Sequence, residues 1–240
     1  MSETDFRGFS PETQAFLMEL TFNNERPWFN AHKDWFERAL NVPFKTLADQ
    51  TLALMRQKFP NENFYVHVSR IYRDARRLFG RGPYKDHLWF TLQKDSPKSV
   101  GPVFWFEIDA FSWSWGVGHW EATPRHGDVT RRRIREDPKS FLKIVHAVEK
   151  LGDYSLSGEP YKRPKGDVGP ELNPWYNRRR ISVSFDRDYG GALYDEALPQ
   201  QLLERFTKLM PLYRFLLEVH EEVKSELLLE EQQAVFGDEE

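Results

Sequence analysis

The chain has 240 residues, a formal net charge of −3 at pH 7 and no cysteine. The acidic balance excludes a molecule-wide field attractive to polyanions, and the missing cysteine excludes disulfides, thiolate catalysis and Cys-based zinc or iron–sulfur sites. Hydrophobic residues at 40% with 15% aromatics can build a sizeable core, while 30% charged residues give a well-solvated exterior.

Taken in order, MSETDFRGFSPET lacks the basic-then-apolar pattern of a leader, and no apolar run approaches the roughly 18 residues of a membrane span. A soluble, cytoplasmic protein with no membrane partner is the expectation. Ser10-Pro11-Glu12 predicts a helix start, with Phe16, Leu17 and Leu20 on its apolar face. Pro27-Trp28 opens a second helix to about Leu40, and Asn41-Val42-Pro43 interrupts it. Phe44 to Phe59 marks a third.

At Phe64 the period changes to two, and Phe64, Val66 and Val68 predict a half-buried strand. The stretch SRIYRDARRLFGRGPYKDH follows, from Ser69 to His87. Leu88 to Lys94, Val103 to Ala110 and Phe111 to Val117 then read as a strand meander. The glycines of GVGHW fit a tight turn. Thr130 to Arg135 looks helical, Asp137-Pro138 caps a further helix closed by Gly152, and Gly158 to Pro174 is loop-like. Arg180 to Arg187 alternates again. A long helix begins near Pro199, with Pro211 expected to kink or restart it and an acidic tail expected to be a solvated face. The fold class expected is α+β: one domain over residues 1–240, an antiparallel sheet of five or six strands flanked by N- and C-terminal helices.

Three basic clusters carry the candidate chemistry: Arg70 to Lys85, Arg131 to Arg135, and Lys162 to Arg180. Guanidinium groups converging at one end of a sheet would hold a phosphate or carboxylate bidentately. The competing account is that each cation is solvated or paired, and Arg73-Asp74 reads equally as a structural ion pair. Tyr84 or His87 against Glu107 or Asp109 is a conceivable acid–base pair. The histidines show no HExxH or HxH spacing, so no metal is expected. His119 and His126 near Glu107, Asp109 and Glu121 would form a His/carboxylate site only if the loop folds back. Aromatic and basic residues interleave in RIYRDARRLFGRGPYK and NPWYNRRR, as stacking on nucleic acid would require, but the net charge opposes that reading.

Together, LTFNNERPWFNAHKDWF, RIYRDARRLFGRGPYK, GVGHW with RRRI, and YKRPKG resemble domain of unknown function family 2461, widespread in bacteria. The likeness runs from Phe9 to Pro211, leaving residues 212–240 as a C-terminal helical extension. It implies an α+β fold and carries no catalytic role, substrate or cofactor. Between RD and PYK the family reads like RFS-x-DK, whereas this chain has RRLFGRG. The site expected is a pocket at RD…PYK. Arg73 and Lys85 serve there as anion donors beside Asp74, and Tyr84 as a hydrogen-bond or acid–base group. Arg131 is a second clamp and Trp120 a wall. A small anionic ligand is the expected partner; a nucleic-acid or protein interaction module is the alternative.

Overall fold

The computed structural model describes residues 5–78, 80–96 and 100–237. Hydrogen bonds join six strands in the order β1-β2-β3-β4-β6-β5: β1 Phe64–Val68, β2 His87–Lys94, β3 Val103–Asp109, β4 Ser112–Gly118, β5 Ser155–Ser157 and β6 Ser182–Asp188. The helices are α1 Pro11–Phe22, α2 Arg26–Ala31, α3 Lys33–Phe36, α4 Val42–Lys58, α5 Pro124–Glu136, α6 Pro138–Glu149, α7 Asn173–Tyr176 and α8 Leu198–Gly237. The architecture is α+β, with an antiparallel sheet and flanking helices from both ends of the chain.

The chain forms two compact units that interleave in sequence. The first comprises Met1–Ser99, Phe104–Trp115 and Phe185–Thr207; the second comprises Val100–Val103, Gly116–Ser184 and Lys208–Glu240. In the first, alternation along β2 and β3 sorts side chains onto two faces. Phe90 opposes Phe106 and Leu92 opposes Phe104, and Phe44 and Phe9 pack onto Phe106 to form an aromatic core. The other face carries His87 opposite Asp109 and Trp89 opposite Glu107, with His67 opposite Thr91 on the β1 side. It is this polar, aromatic face that adjoins the candidate site.

In the second unit, Val129 of α5 packs with Val219 and Val223 of α8, and Phe141 of α6 packs on Trp175 and Phe215. Two short elements escaped the periodicity argument, β5 and α7, each too brief to show a period. Three further expectations need correction. The break at Asn41-Val42-Pro43 is absent, because a π-helical turn at Glu37–Asn41 leads directly into α4 and leaves Pro43 in its first turn. The carbonyl that its missing N–H leaves free, Ala39 O, accepts from Thr13 Oγ1 at 2.6 Å instead. Pro211 neither ends nor restarts α8, which runs unbroken with Leu209, Met210, Leu212 and Tyr213 buried around the proline. Gly116 and Gly118 belong to β4 rather than to a turn. A Cβ on Gly118 would lie 2.5 Å from Ser182 Oγ and 2.8 Å from Ser182 Cα, so glycine permits the close approach of β6.

Candidate functional site

Between β1 and β2 the chain makes a narrow antiparallel excursion. Ser69 stays on the sheet, donating its N–H to Trp89 O at 2.8 Å, and its Oγ accepts from Trp89 N at 3.0 Å. The excursion then pairs with itself: Tyr72 bridges Tyr84, Arg73 N donates to Pro83 O (2.8 Å), and Lys85 N donates to Ile71 O (2.7 Å). The Asn24 side chain latches this ribbon like a third strand. Its Nδ2 donates to Tyr84 O at 2.9 Å, and its Oδ1 accepts from Tyr84 N at 2.9 Å. A Cβ at Gly82 would fall 2.2 Å from that same Oδ1, so the latch requires glycine there.

Arg73 completes the scaffold. Its Nε donates to Tyr84 O at 2.6 Å and its Nη2 meets Asp86 Oδ1 at 3.1 Å. The expected Arg73–Asp74 pair does not form, since neighbours on extended backbone point to opposite sides. Asp74 instead caps the turn that follows and clasps Arg76 through both carboxylate oxygens, at 3.0 and 2.7 Å. Tyr84 is a core residue: it is 2% exposed and stacks on Phe29 with centroids 4.0 Å apart. Burial first, then Tyr72, pushes its hydroxyl above the ordinary range. It does not line the cleft, which removes the acid–base role expected of it.

What the ribbon presents is a cleft of about 440 Å³, lined by Arg70, Arg73, Arg81 and Lys85 with one acid, Asp74, and with His67, His87, Tyr72 and Trp89. That volume falls in the range of small-molecule sites. Arg70, Arg81 and Lys85 make no side-chain hydrogen bond or ion pair among the described residues, while Lys85 Nζ sits 5.7 Å from the Trp89 ring centroid. Burial, then Arg70, then Arg73 hold Lys85 below the usual lysine range, with Glu107 opposing. Glu107 is itself pushed up, mainly by burial and against His87. Burial also acts to raise Asp86, but its backbone N–H, His87 and Arg73 outweigh this and hold it low; His87 Nδ1 lies 3.0 Å from Asp86 Oδ1. The arrangement can hold an anion against Arg70 and Lys85, with Glu107, whose carboxyl is raised above its ordinary value by burial, opposite Trp89 on the neighbouring strand.

Most arginines of the other two basic clusters are engaged in structural contacts. Arg131 is 6% exposed; its Nη1 donates to Tyr161 Oη at 2.9 Å and its Nη2 pairs with Asp128. Arg125 clasps Glu230 through two 2.7 Å bonds, Arg132 pairs with Glu222 and Glu226, and Arg133 pairs with Glu218 and Glu222. The acidic tail is therefore a partnered face of α8. Arg178 Nη1 donates to Gly158 O at 2.6 Å, and Arg180 Nη1 donates to Trp120 O at 3.0 Å. Trp120 is 40% exposed. Neither Trp120 nor Arg131 is among the residues lining the cleft, and both belong to the second unit.

Of the expected His/carboxylate group, His119 and His126 do meet. Their third neighbour is His220 of α8 rather than an acid, and the three ligand atoms lie within 4.8 Å of one another. His220 was missed because it follows His126 by 94 residues and carries no motif. Burial, then its histidine neighbours, pushes His119 down to about 3, and burial, then His220, pushes His126 to about 4. Burial, first among its causes, holds His220 below the ordinary histidine range as well.

Fold and cleft together define an α+β protein whose antiparallel sheet carries a basic cleft beside its polar face. The model of the conserved hypothetical protein family DUF2461 matches residues 12–215, and the chain belongs to that family. No curated protein matches it.

Proposed function

We propose that the protein binds a small ligand bearing a phosphate or carboxylate in the cleft between the Ser69–His87 ribbon and the polar face of β1 and β2. One observation carries the reading. Arg70, Arg73, Arg81 and Lys85 line one cleft, and burial first, then Arg70 and Arg73, holds Lys85 below the ordinary lysine range; an anion seated there relieves the repulsion among these cations. Arg73 and Asn24 act as the frame, while Arg70 and Lys85 contact the ligand.

A thermal-shift screen against phosphorylated and carboxylated metabolites and short oligonucleotides tests this reading. Stabilisation by a small anion, lost in Arg70→Ala and in Lys85→Ala, is the expected result. A response indifferent to both substitutions contradicts the cleft. A response to oligonucleotides alone would assign the Arg70 to Lys85 segment to a nucleic-acid module, with Tyr72 (54% exposed) as its stacking residue.

A further inference from the structure

Three chain segments converge on one point in the second unit. His119 directly follows β4, His126 occupies the first turn of α5, and His220 lies midway along α8. His119 is 2% exposed and His126 8%, and no carboxylate belongs to the group. His126 Nδ1 accepts from Thr123 N at 3.1 Å and lies 2.9 Å from Thr123 Oγ1. The proton of that ring therefore sits on Nε2, 3.3 Å from His220 Nδ1. A purely structural histidine cluster would account for those two contacts. It leaves the third member unexplained, because His119 Nε2 is buried with no hydrogen-bond partner among the described residues. Buried polar atoms normally have a partner, and an orphan calls for an explanation.

We propose that His119, His126 and His220 bind one divalent transition-metal ion, zinc being the best fit, through three imidazole nitrogens with the fourth position open. Three neutral imidazoles suit zinc, cobalt, nickel or copper, whereas magnesium and calcium require oxygen ligands. The separation of 3.3 Å between His126 and His220 matches two ligands of a tetrahedral ion, for which Zn–N is about 2.0–2.1 Å. The widest separation allowed, 4.8 Å, exceeds the roughly 3.3–3.4 Å between two ligands of a tetrahedral ion, so binding draws the most distant pair together by up to about 1.5 Å. On coordination the proton of His126 moves from Nε2 to Nδ1 and the metal takes the freed Nε2 lone pair; the hydrogen bond from Thr123 N to Nδ1 is given up, and Nδ1 donates to Thr123 Oγ1, 2.9 Å away, in its place.

The surroundings fit a single ion. A cavity of about 10 Å³ adjoins His119 and His126, with Leu216 and Val219 in its wall, which is room for one water as a fourth ligand. Arg178, Arg179 and Arg180 also border it; the guanidinium groups of Arg178 and Arg180 are held on Gly158 O and Trp120 O, and Arg179 Nε lies 3.7 Å from Glu159. The site is separate from the anion cleft, and either proposal survives failure of the other.

Cobalt(II) titration of the chelator-stripped full chain tests the site, followed by visible absorption, with metal content measured after zinc loading and gel filtration. The expected result is one cobalt per chain with the intense bands of tetrahedral coordination, displaced by zinc. His119→Gln and His220→Gln each weaken binding at least about tenfold, while His146→Gln, at an exposed histidine paired with Glu171, leaves it unchanged. Far-UV circular dichroism verifies that the variants fold. Should His119→Gln fail to fold, the wild-type spectrum and His220→Gln decide. A wild-type chain without the tetrahedral spectrum at stoichiometric cobalt, or variants that bind cobalt as tightly as wild type, would overturn the proposal.

Discussion

Two stretches of this protein read alike and behave differently. Arg70 to Lys85 and Arg125 to Arg133 are both dense in arginine, yet the second is neutralised by α8 and the first is not. Glu218, Glu222, Glu226 and Glu230 recur every fourth residue, so they form one stripe along α8, and that stripe receives Arg125, Arg132 and Arg133. In the ribbon, Asp86 takes Arg73 and Asp74 takes Arg76, and Arg70, Arg81 and Lys85 are left facing the cleft. A basic run marks a ligand site only where the fold withholds the matching acids.

Substitutions can break that contrast. Arg73→Ala removes a guanidinium whose side chain is 12% exposed and which holds Tyr84 O and Asp86, so it should destabilise the fold by about 2–3 kcal/mol, seen as a lower urea midpoint. Arg70→Ala and Lys85→Ala should each weaken anion binding about tenfold, roughly 1.4 kcal/mol, while moving stability by less than about 0.5 kcal/mol. If these two unfold the protein and Arg73→Ala does not, the division between frame and site is reversed. Arg133→Ala should cost at most about 1 kcal/mol, shrinking as salt is added, because its partners are partly exposed. It should leave anion binding unchanged.

How much of this was legible in the sequence depended on whether the signal was local. Period-two alternation located β1 to β4 and β6, and the Asp137-Pro138 start located α6, because burial on one face imprints itself on consecutive residues. The π-helical turn before Pro43 and the unbroken α8 through Pro211 were illegible, since tertiary packing overrode a local rule. In the candidate site, the RD…PYK segment was singled out from the sequence, and its Arg73, Asp74 and Lys85 line one cleft. Their division of labour was hidden, because it depends on Asn24, about sixty residues away, which holds the ribbon from the far side. Tyr84 reads as a phenol available for chemistry, but only the stacked Phe29 reveals it as core. His220 had no sequence signal at all.

Lys85 itself offers the most direct test. Its folded pKa lies below the ordinary value, so the charged amine is disfavoured in the fold. Stability rises as pH increases through the window between the folded and unfolded values, and an anion that restores the charge takes up a proton within that window. The Lys85 side-chain pKa can be followed by ¹³C NMR at Cε, with and without inorganic phosphate. The account predicts a value below that of ordinary lysines in the free protein, raised toward normal by phosphate and also by Arg70→Ala. An ordinary value that neither phosphate nor Arg70→Ala moves would contradict the convergence of cations on which the proposed function stands.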